Sequence, residues 1–214
     1  MKSIIELNTW NRKEHFEFFN GFDEPFFGIV TEVECSQAIA WCRQKDIPFF
    51  HFYLYQSLKA ANQVEEFRFR IEEEKPVCYD VIHASSTISR PDGTFGFSYI
   101  PFSDNFQDFS LIVKKETNAV AKTQGLRLNE NTKRNDVIHF SVLPWIKFTS
   151  LTHARHFAYR DSVPKITFGR YYEENGRILM PVSVNAHHGL MDAWHVAKFL
   201  ELFTGYLSVP GYSV

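Results

Sequence analysis

The sequence predicts a layered α/β or α+β domain, and three observations support this prediction. Runs rich in β-branched and aromatic residues occur in groups, with segments of helical periodicity between them. Asn175-Gly176 separates two such runs near the C-terminus, and this dipeptide is a strong hairpin signal. The last run leads into an amphipathic helix that begins near Asp192. Strands and helices in this arrangement favour a sheet covered by helices.

The N-terminal half begins with a predicted helix that ends at Asn20-Gly21, a helix-stopping pair. Pro48 separates the next two helices, and the second of these, FFHFYLYQSLKAANQ, is apolar enough to be mostly buried. The predicted elements of this half are a helix over 8–20, a strand over 26–33, helices over 35–46 and 49–63, and strands over 67–72 and 76–82.

The next part of the chain begins with a turn at Pro91-Asp92-Gly93. A long helix follows, capped at Asp104 or Asn105 and closed near Gly125. The segment DVIHFSVLPWIKF reads as a strand interrupted by Pro144. The remaining predicted elements are two strands over 165–186, joined through the Asn-Gly turn, and a helix over 192–207.

Composition and charge limit the partners that the protein can have. The 214 residues predict one domain over 1–214, which is long enough to bury a full core. A net charge of −2 gives no electrostatic reason to expect nucleic acid or an anionic membrane as a partner. We find no signal peptide and no apolar run near the ~20 residues that span a bilayer. Cys35, Cys42 and Cys78 cannot all pair, so we expect free thiols and a cytoplasmic protein.

Phenylalanine is unusually frequent, with 22 residues, and aromatic residues make up 16% of the chain. Most of these rings must lie in the core, where large rings supply much of the burial energy. The surplus could line an apolar ligand pocket or a subunit interface.

The segment VNAHHGLMDAWH, residues 184–195, places three histidines and a carboxylate directly after an apolar run. In a structural interpretation, His187 and His188 alternate across the strand end and Asp192 caps the helix. In a metal-site interpretation, His188, Asp192 and His195 would be ligands, but His188 precedes the cap and no further ligand cluster is evident. In a catalytic interpretation, a neutral imidazole acts as general base and needs an oxyanion donor from elsewhere in the chain.

Three motifs together resemble the chloramphenicol acetyltransferase family, within the CoA-dependent acyltransferases that carry a His-His-x-x-x-Asp-Gly motif. That motif appears as HHGLMDA at residues 187–193. The family signature Asn-x-Ser-x-x-Pro-Trp-x-x-Phe appears as HFSVLPWIKF at 139–148, and its Trp-x-Arg element appears within WNRKEHFEF at 10–18. The motifs have the family's order and spacing, and the resemblance covers nearly the whole chain. The histidine motif also occurs in condensation domains of peptide synthetases, which are much longer.

The resemblance implies a role for each matching residue. His188 is the general base that takes a proton from an acceptor hydroxyl, whose oxygen then attacks the thioester of acetyl-CoA. Ser141 donates to the tetrahedral oxyanion, and Thr167 helps to hold that intermediate through water. Asp192 pairs with Arg12 and holds the loop without contacting the base. The first histidine of the pair is structural.

The same resemblance implies where the two substrates bind. Trp145, Arg170 and Tyr171 lie along the CoA channel, where an indole, a cation and a phenol ring suit adenine stacking and phosphate contact. A bulky apolar or aromatic alcohol is expected in a pocket lined by four phenylalanines, Phe18, Phe19, Phe26 and Phe27. Acetyl-CoA is the co-substrate, and no metal is expected.

The family fold is a two-layer sandwich, a mixed β-sheet with helices packed on one side. It assembles as a homotrimer with active sites at the subunit interfaces. His188 would come from one subunit and most of the acceptor pocket from its neighbour. This arrangement gives the surplus phenylalanines a use, because each subunit covers two interfaces as well as a core. Antibiotic resistance through acetylation of chloramphenicol or a related alcohol is the implied function.

Three residues depart from the family pattern, and they leave alternatives open. Ala193 replaces the motif glycine, which would cost about 1 kcal/mol or more if the position needs a positive φ. His139 replaces the signature asparagine, and Phe19 stands where the family usually has an acceptor-pocket tyrosine. The alternatives are a non-catalytic trimeric binding homologue, or acyl transfer to a thiol as in dihydrolipoamide acyltransferases.

Overall fold

The computed structural model describes residues 1–212. The α-helices in this part of the chain are α1 (Lys13–Phe19), α2 (Ser36–Gln44), α3 (Phe49–Gln63), α4 (Phe106–Ala121) and α5 (Ala193–Ser208). The strands are β1 (Lys2–Ile4), β2 (Phe26–Glu34), β3 (Phe69–Glu72), β4 (Lys75–Tyr79), β5 (His83–Ser89), β6 (Phe95–Ile100), β7 (Val137–Leu143), β8 (Lys165–Gly169), β9 (Tyr172–Glu174) and β10 (Arg177–His187). None of the helices in residues 1–212 is both long and apolar enough to cross a membrane.

The larger of two sheets has the strand order β2-β10-β8-β7-β5-β6, with β9 paired to β10. β7 runs parallel to β5 and β8, whereas the other neighbouring pairs are antiparallel, so the sheet is mixed. The smaller sheet has the order β1-β4-β3. β10 pairs with β2 in continuous register from Leu179 to His187. The backbone that leads into the paired histidines is therefore held by a long ladder.

The two faces of the larger sheet differ in chemistry, because successive side chains of a strand point to opposite faces. On one face, Phe140 and Ile166 belong to the buried core, which also contains the apolar sides of α3 and α5. On the other face, Ser141, Thr167 and Ser183 are in register across β7, β8 and β10. We call this side the polar face. The helices cover the opposite side, which confirms the predicted two-layer mixed-sheet architecture.

The segment 144–164 has neither helix nor strand and crosses the polar face between β7 and β8. Phe148 is buried near the start of this segment. Near its end, the Ser162 hydroxyl accepts a hydrogen bond from the Ile71 backbone N–H at 2.9 Å. Between these points, the Arg155 guanidinium lies 3.6 Å from the centre of the Phe26 ring. The segment is anchored at both ends and in the middle, so it forms a fixed cover over part of the polar face.

Most predicted elements are confirmed, with differences at their ends. The helix predicted over 49–63 matches α3, and Asn105 caps α4 by accepting from the Asp108 backbone N–H at 3.0 Å. The first helix begins at Lys13, later than predicted. The residues before it form turns, because Trp10 packs against the rings of Phe16 and Phe69 instead of continuing a helix. Tertiary packing therefore overrides local propensity here.

The C-terminal hairpin differs from the prediction in one respect. The first predicted strand is interrupted after Gly169, so that β8 and β9 pair separately with β10. Asn175 and Gly176 join β9 to β10 with φ values of 51° and 75°, as a type I′ turn requires. β1, β5 and β6 were not predicted as strands. The sequence of β5, HASSTIS, contains too few large apolar residues to stand out as a strand.

Candidate active site

Arg12 joins the N-terminal segment to the loop that carries the paired histidines. Its Nη1 donates to Asp192 Oδ2 at 2.8 Å, and its Nη2 donates to the backbone carbonyl of His188 at 3.1 Å. Burial alone would raise the pKa of the Asp192 carboxyl, but hydrogen bonds from Arg12 and from the Trp194 backbone N–H hold it below its ordinary value. The structure thus contains the predicted ion pair, and the pair also fixes the backbone of His188.

Asp192 also caps α5, which begins directly after it. Its Oδ1 accepts from the Trp194 backbone N–H at 3.0 Å, and its own backbone N–H donates to His195 Nδ1 at 3.0 Å. The other ring nitrogen of His195, Nε2, lies 3.2 Å from Glu66 Oε1. His195 is therefore occupied by structural contacts. Within residues 1–212 no group of three or more His, Cys, Asp or Glu side chains is arranged to hold a metal ion.

The His188 ring lies between two phenylalanine rings. It stacks on Phe19 with centroids 4.1 Å apart and planes inclined by 12°, and it contacts Phe27 at 4.8 Å. Its Nδ1 is buried and has no hydrogen-bond partner in the described part of the chain. This leaves Nε2 as the nitrogen that can meet an acceptor. The two rings hold the half-buried imidazole by packing.

His187 has a different environment, which fits a structural role. It is buried, and its Nδ1 accepts a hydrogen bond from the Gly189 backbone N–H at 3.1 Å. Burial lowers the pKa of His187 to about 4, and the positive charge of Arg155 acts in the same direction. The ring is therefore neutral at pH 7 and already uses a nitrogen to hold the turn.

Ser141 and Thr167 lie side by side on the polar face, because they are in register on neighbouring parallel strands. Thr167 is fully buried, and its Oγ1 lies 3.5 Å from His153 Nε2, the long limit of a hydrogen bond. Ser141 is half-buried. Two hydroxyl groups therefore stand next to each other at a partly enclosed position of the sheet.

One chain does not bring His188 and Ser141 together. Ser141 is in register with Thr167, which is in register with Ser183 of β10. His188 lies five positions beyond Ser183, which corresponds to roughly 17 Å along the strand. Its ring also contacts Phe27, which packs against the helix-covered core, whereas Ser141 faces the other side. Within one chain these two side chains are therefore separated and face opposite sides of the sheet.

A cleft of about 660 Å³ opens where β7 and β8 end. Arg170 and Tyr171, two of the three residues predicted along the CoA channel, line this cleft. Val142, which follows Ser141 in β7, also forms part of the wall. Trp145 does not line the cleft and is 64% exposed. The cleft therefore opens on the helix-covered side of the sheet, one residue along β7 from Ser141, whose side chain points to the polar face.

The four phenylalanines predicted to line the acceptor pocket lie in two places. Phe19 and Phe27 flank the His188 ring, and Phe18 extends this aromatic group by an edge contact with Phe19 at 5.1 Å. Phe26 lies elsewhere, because its strand position pairs with His187 on the polar face. Phe19 and Phe27 therefore contact the predicted base, whereas Phe18 packs against Phe19.

Sequence analysis missed a pocket of about 360 Å³ on the polar face, which we call the polar pocket. Its polar lining consists of Glu24, Thr152, His153, Arg155, Lys165 and Asn185. The alternation of β8 and β10 could have identified Lys165 and Asn185, because each shares a face with Thr167 or Ser183. The remaining residues belong to loops without a periodic pattern, so no sequence signal placed them there.

The structure explains one departure from the family pattern and shows the environment of a second. Ala193 is the first residue of α5 and is not among the described residues with a positive φ, so alanine replaces glycine here without backbone strain. His139 precedes Ser141 by two positions and shares its face. Burial lowers the pKa of His139 to about 4, and the positive charges of Lys165 and Arg70 act in the same direction. The ring is therefore neutral at pH 7.

A family model described as "Chloramphenicol acetyltransferase" matches residues 2–204 of the chain. A chloramphenicol acetyltransferase of Campylobacter coli is 26% identical over 205 residues, which cover 92% of this chain and 94% of that protein. Chloramphenicol acetyltransferase 3 of Escherichia coli is 27% identical over 205 residues, covering 92% of each chain.

Among solved structures, a chloramphenicol acetyltransferase superimposes with a TM-score of 0.90 and 31% identity, covering 97% of this chain and 100% of that chain. A dihydrolipoamide acetyltransferase of Azotobacter vinelandii has a TM-score of 0.63 and 12% identity, over 91% of this chain and 86% of that chain. This second likeness shows a shared fold alone.

Proposed function

The chain belongs to the chloramphenicol acetyltransferase family, and from this premise we propose how its residues transfer the acetyl group of acetyl-CoA to a hydroxyl of an acceptor such as chloramphenicol. The chain is accordingly an acetyl-CoA-dependent O-acetyltransferase. The observation that carries our assignment of the base is the environment of His188. Its ring is held between Phe19 and Phe27, while its backbone carbonyl is held by Arg12.

His188 Nε2 accepts the proton of the acceptor hydroxyl while the hydroxyl oxygen attacks the thioester carbonyl. A base that accepts at Nε2 must carry its other proton on Nδ1, which is the buried nitrogen. The tetrahedral intermediate then collapses, the carbon–sulfur bond breaks, and the imidazolium returns its proton to the departing CoA sulfur. General-base catalysis of this kind contributes about 10²–10⁴-fold in rate.

Ser141 is the proposed donor to the oxyanion of the tetrahedral intermediate, and Thr167 supports it. The two hydroxyls are adjacent on the polar face, and the wall of the 660 Å³ cleft begins at the next residue of β7. The cleft lies on the helix-covered side, so a thioester that extends from it past the C-terminal ends of β7 and β8 would bring its carbonyl oxygen near Ser141. A single oxyanion donor contributes about 10²–10³-fold in rate.

Arg12 and Asp192 act as positioning residues. The arginine binds the carboxylate with one nitrogen and the His188 carbonyl with another, so it fixes the start of the loop relative to the start of α5. A displacement of the base by 1 Å can reduce the rate about 10²-fold. The pair therefore supports catalysis through the position of the imidazole.

The CoA moiety is proposed to bind in the 660 Å³ cleft. Arg170 supplies a cation for its phosphates, and Tyr171 and Trp145 supply rings for its adenine. Tyr171 is itself steadied by an edge contact with Phe49 at 6.0 Å. Trp145 is exposed at the position after Pro144, which lines the cleft, so a long ligand would reach it after leaving the cleft.

The protein is proposed to assemble as a homotrimer whose sites lie at subunit interfaces. The separation of His188 from Ser141 within one chain supports this proposal, because two subunits are needed to bring them together. Exposed aromatic residues such as Phe18, at 64%, and Trp194, at 62%, support it further, since an interface would cover them. The cytoplasm, where acetyl-CoA is available, is the proposed location.

An assay of thiol release tests the function. The protein is incubated with acetyl-CoA and chloramphenicol, and then with other alcohols, and the acetylated product is identified by mass. We expect release of the CoA thiol that depends on the acceptor, in proportion to the ester formed. A protein that acetylates neither chloramphenicol nor any alcohol of the panel would contradict the proposal.

A further inference from the structure

We propose that the acceptor site of this enzyme extends into the polar pocket and selects alcohols that carry a neutral hydrogen-bonding group, such as an amide or a further hydroxyl. This inference rests on the proposed function, because it concerns the acceptor of the same reaction. It adds a specificity determinant that the apolar pocket predicted from the sequence does not contain.

The polar pocket adjoins the proposed oxyanion donors. His153, which lines the pocket, places its Nε2 at 3.5 Å from Thr167 Oγ1. Lys165, another wall residue, precedes Thr167 by two positions on the same face of β8. Asn185, also in the wall, donates through Nδ2 to Ser183 Oγ at 3.0 Å, and Ser183 is in register with Thr167. A ligand in this pocket would therefore contact side chains that neighbour Thr167, which is proposed to support the oxyanion donor.

The Arg155 side chain has hydrogen-bond donors that no residue in the described part of the chain uses. Its Nη1 pairs with Glu24 Oε1 at 2.8 Å, and its guanidinium stacks on the Phe26 ring at 3.6 Å. A guanidinium has five N–H donors in one plane, so the pair with Glu24 leaves further donors without a partner among the described residues. The stacking fixes this plane, and the free donors are presented at a defined position in the wall.

Asn185 presents an amide oxygen in the same wall, and Gly28 makes room for it. A Cβ atom added at Gly28 would come within 2.8 Å of Asn185 Oδ1. Since the Asn185 amide nitrogen is already bonded to Ser183, the oxygen is the group left to accept a hydrogen bond from a ligand. The wall thus offers donors from Arg155 and an acceptor from Asn185.

The charges of the pocket favour a neutral ligand over an anion. Arg155 is paired with Glu24, and the buried Lys165 is paired with Asp161, so each cation of the wall already has its own carboxylate. A ligand carboxylate would add a third negative charge beside these two pairs. A neutral amide or hydroxyl group can use the free donors and acceptors without displacing either carboxylate.

Three para-substituted benzyl alcohols test the proposal, because they share the reacting hydroxymethyl group and differ in the tail. These are 4-(hydroxymethyl)benzamide, 4-(hydroxymethyl)benzoate and 4-isopropylbenzyl alcohol. We expect the amide to have a kcat/KM about tenfold higher than the isopropyl compound, as one or two additional hydrogen bonds would give. The benzoate should be a poorer acceptor than the amide.

Two variants examine the residues themselves. Arg155→Leu and Asn185→Ala should each reduce the preference for the amide over the isopropyl compound to near unity. Arg160→Leu is the matched control, because Arg160 lies on the same segment but does not line the polar pocket, and it should keep the preference. Thermal unfolding of every variant shows whether the fold is retained, and the two variants provide independent tests if one of them fails to fold.

The outcomes separate this inference from the proposed function. Equal or better acetylation of the isopropyl compound by the parent protein would overturn the inference while the acetyltransferase activity stands. A preference for the benzoate would show that the pocket selects anionic and not neutral groups. An unchanged preference in both folded variants would show that Arg155 and Asn185 do not determine the choice of acceptor. Failure of every alcohol, including chloramphenicol, would overturn the proposed function and this inference together.

Discussion

Arg12 and Asp192 are 180 positions apart in the sequence, and their side chains meet at 2.8 Å between Nη1 and Oδ2. The arginine side chain is nearly enclosed, with 9% exposure, whereas the carboxylate is 35% exposed. The contact closes the chain on itself at the loop that carries the proposed base. Because Arg12 also holds the His188 carbonyl, a change in the pair should be visible both in stability and in catalysis.

Asp192→Asn should reduce the free energy of unfolding by about 1–3 kcal/mol. The substitution preserves the cap of α5, because asparagine is a good N-cap. It removes the negative charge that pairs with the buried Arg12 guanidinium. The figure is below that of a fully buried pair because solvent reaches the carboxylate. Urea unfolding measures it, and an asparagine variant as stable as the parent would show that the pair does not support the fold.

His188→Ala should reduce turnover by at least about 10²-fold while the protein stays folded, because it removes the proposed base and no core group. His187→Gln is the comparison. It should lose less activity but more stability, since His187 is buried and holds the Gly189 backbone N–H. Steady-state kinetics and thermal unfolding of both variants separate the two effects. The reverse pattern would identify His187 as the base.

Hybrid assemblies test whether the site is shared between subunits. Ser141→Ala should lower turnover by about 10²–10³-fold, because it removes the proposed oxyanion donor. When Ser141→Ala and His188→Ala subunits are unfolded together and refolded, some interfaces will contain an intact serine and an intact histidine. Part of the activity should then return, and light scattering should give three times the subunit mass of 25.0 kDa. A fully active monomer would contradict the shared site.

The stability of the protein should fall as the pH decreases from about 6.5 to about 4. Burial lowers the pKa of both His139 and His187 to about 4, whereas the unfolded chain binds these protons near pH 6.5. Between these values the unfolded state holds more protons, so the free energy of unfolding decreases as the pH falls, by about 1–3 kcal/mol for each ring. Above pH 6.5 this contribution is fully present and constant.

His139→Asn provides the test of this pH dependence. The variant restores the residue type of the family signature and removes one of the two buried imidazoles. Its free energy of unfolding should therefore change less than that of the parent between pH 7 and pH 5, in urea titrations performed at each pH. An identical pH dependence in both proteins would show that His139 does not contribute.

The sequence predicted those parts of the fold and site that depend on local patterns. The Asn175-Gly176 turn, the Asn105 cap and the Asp192 cap each depend on a few neighbouring residues, and all three occur in the structure. The ion pair of Arg12 with Asp192 was predicted through motifs at the two ends of the chain. Each of these features is encoded either by a few neighbouring residues or by a recognisable motif.

The polar pocket could not be predicted in the same way. Its walls come from β2 and the residues just before it, from β8 and β10, and from the irregular segment 144–164, so no single stretch of sequence contains its pattern. Arg155 in particular acquires its role from the Phe26 ring and the Glu24 carboxylate, which lie 129 and 131 positions away in the chain. The split placement of the four phenylalanines has a similar origin, because Phe26 and Phe27 are neighbours whose side chains point to opposite faces of β2.

The opposite chemistry of the two faces of the larger sheet has a consequence for evolution. Along β8, Lys165 and Thr167 face the polar side, while Ile166 and Phe168 face the helices. Mutations at alternate codons of this strand therefore have different effects: those at 166 and 168 change the packing of the core, and those at 165 change the charge of the polar pocket and its ion pair with Asp161. A lineage that changes Lys165 alone would strand the Asp161 carboxylate, so a change of acceptor at this position would require replacement of both partners or a prior gain in stability.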